Sequence, residues 1–244
     1  AQLEAARQGA KLEFLAEASE ILSSSLDYHL TLSQLARLAV PGLADWCAID
    51  MAGVDGEIER VAVAHQDPEK VRWARRLQEK YPPDPEAPHG VSQVLRSGEP
   101  EFLPTIQQEL LDAAIGDDEE LRRIVDELGL RSSICVPLVA RGRTLGALTL
   151  IAAETHGPYT QADFELALEL GRRAAISVDN ARLFGVAEKG ANAAQALAHI
   201  ADGVVLVDRD RVVRHWNPAA AAITGVDEAD ALGNPVDEVV PTWG

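Results

Sequence analysis

Residues 130–154 read LRSSICVPLVARGRTLGALTLIAAE, two apolar β-rich runs on either side of Arg141-Gly142-Arg143. Ile134, Val136 and Leu138 alternate with Cys135 and Val139, while Leu148 and Leu150 alternate with Ala147 and Ile151, so each run is apolar on both faces. Strands of that kind sit in the middle of a sheet covered on both sides, and the covering takes helices. Gly142 offers a position with positive φ, and its flanking arginines keep the tip in water, as a short antiparallel connection needs. An amphipathic helix pattern begins at Thr160, soon after the second run.

The rest of the composition fits a folded core. The chain has 244 residues, 47% hydrophobic and 25% charged, which suits one or two globular domains. Its formal net charge is −17, with acids spread along the chain and no basic patch, so nucleic-acid binding and contact with anionic membranes are not expected. No apolar run approaches a membrane span, and no signal peptide is visible. Cys47 and Cys135 lie in separate apolar strand-like runs without CxxC spacing, which points to reduced, buried thiols of a cytosolic protein. A start without Met and an end at Trp243-Gly244 suggest an internal piece of a longer protein whose other parts carry the output.

From Leu3 to Leu22 the apolar residues Leu12, Leu15 and Leu22, with Phe14, Ala18 and Ile21 beside them, recur at helical spacing. Ser23-Ser24-Ser25 interrupts this, and Asp27 caps a second helix that Pro41-Gly42 stops. Strands are expected at 45–51 and 58–65 around a turn at Gly53-Val54-Asp55-Gly56, then a helix at 69–80 opened by Asp67-Pro68. The proline-rich stretch 81–88 reads as a loop. Short helices follow at 91–95, 107–114 and 119–128, with a brief strand at 101–103, and the helix from Thr160 runs to about Glu188.

Three segments in this order resemble the GAF sensory domain of bacterial signalling proteins: SLDYHLTLSQLARLAVPGLADWCAIDM, HGVSQVLRSGEP, and the stretch RSSICVPLVARGRTLGALTLIAAETHGPYTQADFELALELGRRAAISVDNARLF. The resemblance covers about residues 11–187. It implies an α+β fold: an antiparallel sheet of six or so strands, with the first and last helices on one face and a small-molecule pocket under short helices on the other. After Gly190-Ala191-Asn192-Ala193, which looks like a hinge, residues 196–242 resemble the N-terminal half of a PAS domain, with WNPAA as the specific part. Local chemistry agrees there: a strand at 203–207, a turn at Asp208-Arg209-Asp210, a strand at 212–216, and Asn217-Pro218 opening a helix. Two strands cannot close a sheet, so this partial PAS-like α/β segment is expected to be unstable alone, to be swapped with a neighbour, or to have lost its other half to disorder. The expected division is a signalling and dimerisation helix at 1–26, a GAF domain at 27–187, a linker at 188–192 and the PAS portion at 193–244.

Catalytic chemistry is sparse. His65, His89 and His156 lack the paired spacing of metal ligands, and Asp117-Asp118-Glu119-Glu120 lacks the alternating ligands and glycine of a calcium loop but suits a helix N-terminus. Gly142 to Gly146 is a turn and strand, with no following helix to hold a phosphate. The cysteine motifs of bilin-binding GAF members and the asparagine-lysine-phenylalanine signature of cyclic-nucleotide binders are not recognisable, so neither ligand is implied. No cofactor or metal is evident. An unidentified small molecule would meet Trp46, Asp50, Trp73, Tyr81 and Cys135, drawn from the first strand, the hairpin and the loop between Trp73 and His89. The alternative, that these tryptophans and Tyr81 simply pack the core, is the favoured one.

On the last helix, Phe164, Leu168, Gly171, Ala175 and Val178 form one stripe, and Leu166, Leu170, Ala174 and Ala181 a second. One stripe covers the sheet and leaves the other for a partner, which implies a parallel homodimer through the helices 3–22 and 160–188. A single wide core-facing helix is the alternative. The function expected is a regulatory sensor and dimerisation module that relays a helix shift to an output domain, a histidine kinase, phosphatase or diguanylate cyclase, with no chemistry in this part. The alternatives are an enzyme resembling free methionine sulfoxide reductases, which share the GAF fold and use cysteines, and a ligand-free structural scaffold.

Overall fold

The computed structural model describes residues 2–53, 57–198 and 202–240, and for 2–8 and 186–198 the description is of the backbone. The turn expected at Gly53 to Gly56 therefore lies largely outside the described residues. In chain order the elements are α1 (Gln2–Ser23), α2 (Tyr28–Gly42), β1 (Trp46–Ala52), β2 (Ile58–His65), α3 (Pro68–Lys80), α4 (Gly90–Ser97), β3 (Glu101–Leu103), α5 (Gln108–Ile115) and α6 (Glu119–Leu128). The hairpin β4 (Ser132–Ala140) and β5 (Arg143–Ala152) follows, then α7 (Gln161–Ala198), β6 (Val205–Val207), β7 (Val213–Trp216), α8 (Pro218–Thr224), α9 (Glu228–Ala231) and α10 (Val236–Val239). The chain divides into two compact units, Ala1–Arg182 and Leu183–Gly244.

In the first unit five antiparallel strands pair in the order β2-β1-β5-β4-β3. That is the number read from the residues, and one short of the six or so implied by the resemblance. The quoted hairpin supplies the central β5 and its neighbour β4, with Ala140 opposite Arg143. Arg141 and Gly142 both take positive φ, 50° and 73°, the pattern of a two-residue turn whose twist matches the strands. Pro137 falls in β4 where β3, which pairs only with Ser133 to Cys135, no longer needs its N–H.

Period-two alternation sorts the strands into two faces. Cys47, Ile49, Met51, Ile134, Val136, Leu138, Leu148 and Leu150 point to one side, where α1, α2 and α7 bury them with Ala18, Leu35, Leu170 and Val178. Phe102 joins them, stacked on Phe164 at 5.0 Å. Three of the helices begin where their caps predict: Asp27 accepts from the N–H groups of His29 and Leu30, Asp67 from Glu69, and Thr160 trades hydrogen bonds with Asp163. At the end of α2, Val40 leaves the helical region before Pro41, as the residue preceding a proline tends to.

Two expectations need correction. Leu166, Leu170, Ala174 and Ala181 are 6%, 0%, 0% and 8% exposed, so the second stripe of α7 is not left for a partner. The reason is α1, which lies parallel to α7: Lys11 Nζ donates to the Ala162 carbonyl, Arg173 to the Leu15 carbonyl and Ser177 to the Leu22 carbonyl. Among the described residues, the large apolar side chains that α7 exposes are Ile176, Leu183 and Phe184. The helix expected to end at about Glu188 runs on to Ala198. A helical glycine costs only about 1 kcal/mol relative to alanine, and the surrounding run is alanine-rich.

In the second unit β6 and β7 pair antiparallel, and Val213, Trp216, Ala220, Ala231, Val236 and Val240 form a small core. Asn217 caps α8 through the Ala220 N–H while its side chain also bonds Val204 and Asp202. Asp208 accepts from the N–H groups of Asp210 and Val212, closing the expected turn.

Candidate functional site

The sheet face opposite α7 carries the polar side chains. The pairings Trp46 with His65, Asp50 with Arg60, and Cys135 with Thr149 put these residues on that face, and α3 and α4 lie over it. Trp46 and His65 are in ring contact at 4.3 Å. His65 Nδ1 accepts from the Asp67 N–H, so in the neutral ring the proton sits on Nε2, on the side of Glu154. Burial, with the Lys70 ammonium, lowers the His65 pKa against the opposing pull of Asp45 and Asp67, so it is neutral at pH 7.

Asp50 is fully buried and takes both hydrogen bonds of an Arg60 fork, at 2.8 and 3.1 Å. Burial pushes the Asp50 carboxyl up from its ordinary value and Arg60 pulls it down, with burial the larger effect. Cys135 accepts from the Thr149 hydroxyl at 3.3 Å and packs in a cluster with Val94 of α4 and Ala147 of β5. Glu101 ties the start of α4 to β3 by bonding both His89 Nδ1 and the Gly90 N–H at 2.9 Å.

One end of this face is organised by Asp45. Its carboxylate accepts from the N–H groups of Ala153 (2.7 Å), Thr155 (3.1 Å) and His156 (3.0 Å) and from the Thr155 hydroxyl. Burial opposes the charge, but these donors outweigh it and hold the carboxyl well below the usual carboxylate range. Beside it Asp45, His65, Asp67, Lys70, Glu154 and Thr155 line a cleft of about 280 Å³.

The five residues expected around a ligand are thus distributed unequally. Trp46, Asp50 and Cys135 share the face, but all three are packed, and none lines that cleft. Trp73 is half-buried on α3. Tyr81 lies at the end of α3, with Asp118, the cap of α6, near enough to raise its pKa after burial. The sequence reading missed Asp45, Arg60 and Lys70. Arg60 and Asp50 become partners only through the register of β1 on β2, which a β-bulge between Ile49 and Asp50 shifts by one residue.

The thiols are shielded by placement. Cys47 lies on the α7 face and Cys135 on the other, so the sheet separates them, and burial pushes both pKa values up to about 12. Among the described residues no cluster of His, Cys, Asp and Glu could hold a metal ion. Among them, too, no helix is long and apolar enough to cross a membrane.

An antiparallel sheet with its terminal helices on one face and a small polar cleft on the other defines an α+β domain. The chain belongs to the GAF domain family, whose model matches residues 27–178, and the PAS fold model matches residues 192–242. Both are sensory regulatory domains. Similar solved structures include the GAF domain of a phosphoenolpyruvate-protein phosphotransferase from Coxiella burnetii, 18% identical with a TM-score of 0.49, over 72% of this chain and 96% of that one. The GAF domain of a putative sensor histidine kinase from Pseudomonas syringae pv. tomato is 16% identical with a TM-score of 0.49, over 76% and 97%. Free methionine-R-sulfoxide reductase from Neisseria meningitidis, in complex with its substrate, is 15% identical with a TM-score of 0.49, over 71% and 90%. A search of curated proteins returned no match.

Proposed function

We propose that this chain is the sensing and dimerisation part of a bacterial signal-transduction protein, in which a small ligand or partner at the α3–α4 face shifts α7, and α7 passes the shift through the PAS segment to an output domain. One observation carries the proposal: α4 and α7 hold neighbouring residues of β4 from opposite sides. Cys135 packs with Val94 of α4, and at the next two positions a Cβ on Gly171 of α7 would come within 3.0 Å of Val136 and 3.3 Å of the Pro137 carbonyl. The hairpin tip adds a second tie, Arg141 Nε to Asp179 Oδ2 at 2.7 Å. Cores are packed too tightly to absorb a displacement at one of these contacts without moving the other.

The parallel homodimer rests on Leu12 of α1, 67% exposed, and Ile176 of α7, 53% exposed, with Leu183 one heptad beyond Ile176. Cytoplasmic placement agrees with two free, buried thiols. Their burial on opposite faces of the sheet argues against reductase chemistry. The output domain of the proposal is a histidine kinase, phosphatase or diguanylate cyclase. Native mass spectrometry of freshly purified protein tests the core of it: a dimer retaining a small added mass is expected, and a strict monomer with no added mass overturns it.

A further inference from the structure

The two faces of the sheet are covered unequally. Toward α7 the middle strands keep Cys47, Ile49, Leu148 and Leu150 at 2% exposure or less, while on the opposite face of the same strands Ala48, Thr149 and Ile151 are half-buried, as is Ser133 of β4. Helix α3 rests on β2 and α4 on β4 and β5, so they stand as walls beside these residues. The segment α5–α6 leaves β3 at one edge of the sheet, and Glu120 reaches Lys80 at the end of α3, which covers the other edge, with 2.6 Å between them. It forms a roof that is not seated. Leu121, Ile124, Val125 and Leu128 share one face of α6 by helical spacing, yet no residue of α3 or α6 is buried, and in α5 only Ile115 is. An amphipathic helix gains its stability by burying such a face, so the apolar roof and the half-buried floor lack a layer between them.

We propose that this gap takes a neutral, flat, mainly apolar small molecule carrying hydrogen-bond-accepting carbonyl oxygen. The proposal rests on the ligand-sensing reading of this face and adds the chemistry of the ligand. The charged groups of the floor are already engaged, Asp50 by Arg60 and Glu101 by His89 and the Gly90 N–H, so an ionic ligand would be desolvated there without a free counter-charge. What the floor offers is donors. The Trp46 indole N–H is buried and has no acceptor among the described residues, a deficit that a ligand carbonyl would relieve, and Ser133 brings a hydroxyl. Trp46 and Ser133 pair with Ile151 from either side, so they lie two strand spacings apart, about 10 Å, with an apolar residue between them. A ring system of that span would lie on Ile151 with an oxygen toward a donor. A peptide is the less suitable occupant. Strands β1, β5 and β4 each have both strand neighbours, which leaves no edge for an added strand, and a half-buried floor leaves too little room for a helix about 10 Å across.

The probe is prodan, a neutral acylnaphthalene whose emission shifts to the blue in apolar surroundings, with the anionic anilinonaphthalene sulfonate as control, each titrated against the full chain. Saturable binding of prodan at one site is expected, with new hydrogen-exchange protection in Glu119–Leu128 and weaker binding of the sulfonate. Ala48→Leu fills the gap from the floor, so it should abolish prodan binding while the melting temperature holds or rises. Trp46→Phe keeps an aromatic ring but removes the donor, and should weaken binding about fivefold. An A48L protein that melts well below the parent would show the floor to be closed already and overturn the proposal. Prodan binding that A48L or W46F leaves unchanged, protection confined to other elements, or no saturable prodan binding would each overturn it too. Tighter binding of the sulfonate would overturn the neutral ligand while leaving the sensing face standing, whereas a strict monomer that retains no added mass removes the sensing reading itself.

Discussion

Replacing Asp45 by alanine removes the acceptor that fastens the β5–α7 connection to the start of β1. The Ala153 N–H is buried and loses its 2.7 Å bond, while the Thr155 and His156 N–H groups, at 3.1 and 3.0 Å, are only partly buried and regain water in part. An unsatisfied buried donor costs about 1–3 kcal/mol; with about 2 kcal/mol for the buried Ala153 N–H and about 0.5 kcal/mol for each of the two that regain water, D45A should cost about 3 kcal/mol at pH 7. D45N should lose nearly as much, because an amide presents a donor to a ring of donors. The pH dependence has a definite sign. The folded carboxyl ionises more easily than the unfolded one, so its contribution is fully present above about pH 4 and is lost as the pH falls below that toward the folded value. The assay is urea unfolding by tryptophan fluorescence, with Trp216 and Trp243 changed to phenylalanine in every protein so that Trp46 and Trp73 report on the first unit. A D45A penalty under about 0.5 kcal/mol, or one that stays constant from neutral pH to pH 3, would refute the role given to this carboxylate.

Three further outcomes follow from packing. Gly146→Ala would put a Cβ 2.5 Å from the Asp50 carbonyl and 2.7 Å from Met51 Sδ, forcing β1 and β5 apart at a cost of about 3 kcal/mol, whereas Gly157→Ala meets nothing within 4 Å and should be close to neutral; equal melting temperatures would contradict this. Arg60→Met strands the buried Asp50 carboxylate and should cost about 3 kcal/mol in chemical unfolding, most of it recovered by Asp50→Leu in the same chain; an unaffected R60M would show the pair to be idle. Cys47 and Cys135 should resist iodoacetamide at neutral pH until the protein is unfolded, and rapid alkylation of either would revive thiol chemistry.

Local chemistry made most of the fold legible before any coordinates. The strands at 58–65 and 101–103 and the helix at 119–128 fall where turn and cap residues put them, and Asp27, Asp67, Asp118 and Asn217 all accept the N–H bonds their positions imply. Such features depend on neighbours in sequence. The stripes of α7 did not resolve in the same way, because spacing shows that Leu166, Leu170 and Ala174 need a cover but not that α1, some 150 residues earlier, supplies it. The site fared least well for the same reason. Asp45 meets Thr155 across 110 positions, and Arg60 reaches Asp50 through a bulge that alternation alone does not announce. Trp46 and Cys135 are on the face expected of pocket residues, yet their burial comes from His65 and Val94, which only the pairing of strands and the docking of α4 reveal.

The parallel assembly through α1 and α7 can be tested most directly by oxidative cross-linking of Ile176→Cys. The two native thiols are buried, so the introduced one is the accessible thiol among the described residues. In a parallel dimer the two copies of position 176 face each other across the axis, and mild oxidation should convert most of the protein to a disulfide-linked dimer, reversible by reductant. An introduced thiol that alkylates freely but yields only monomer under the same oxidation would contradict the account.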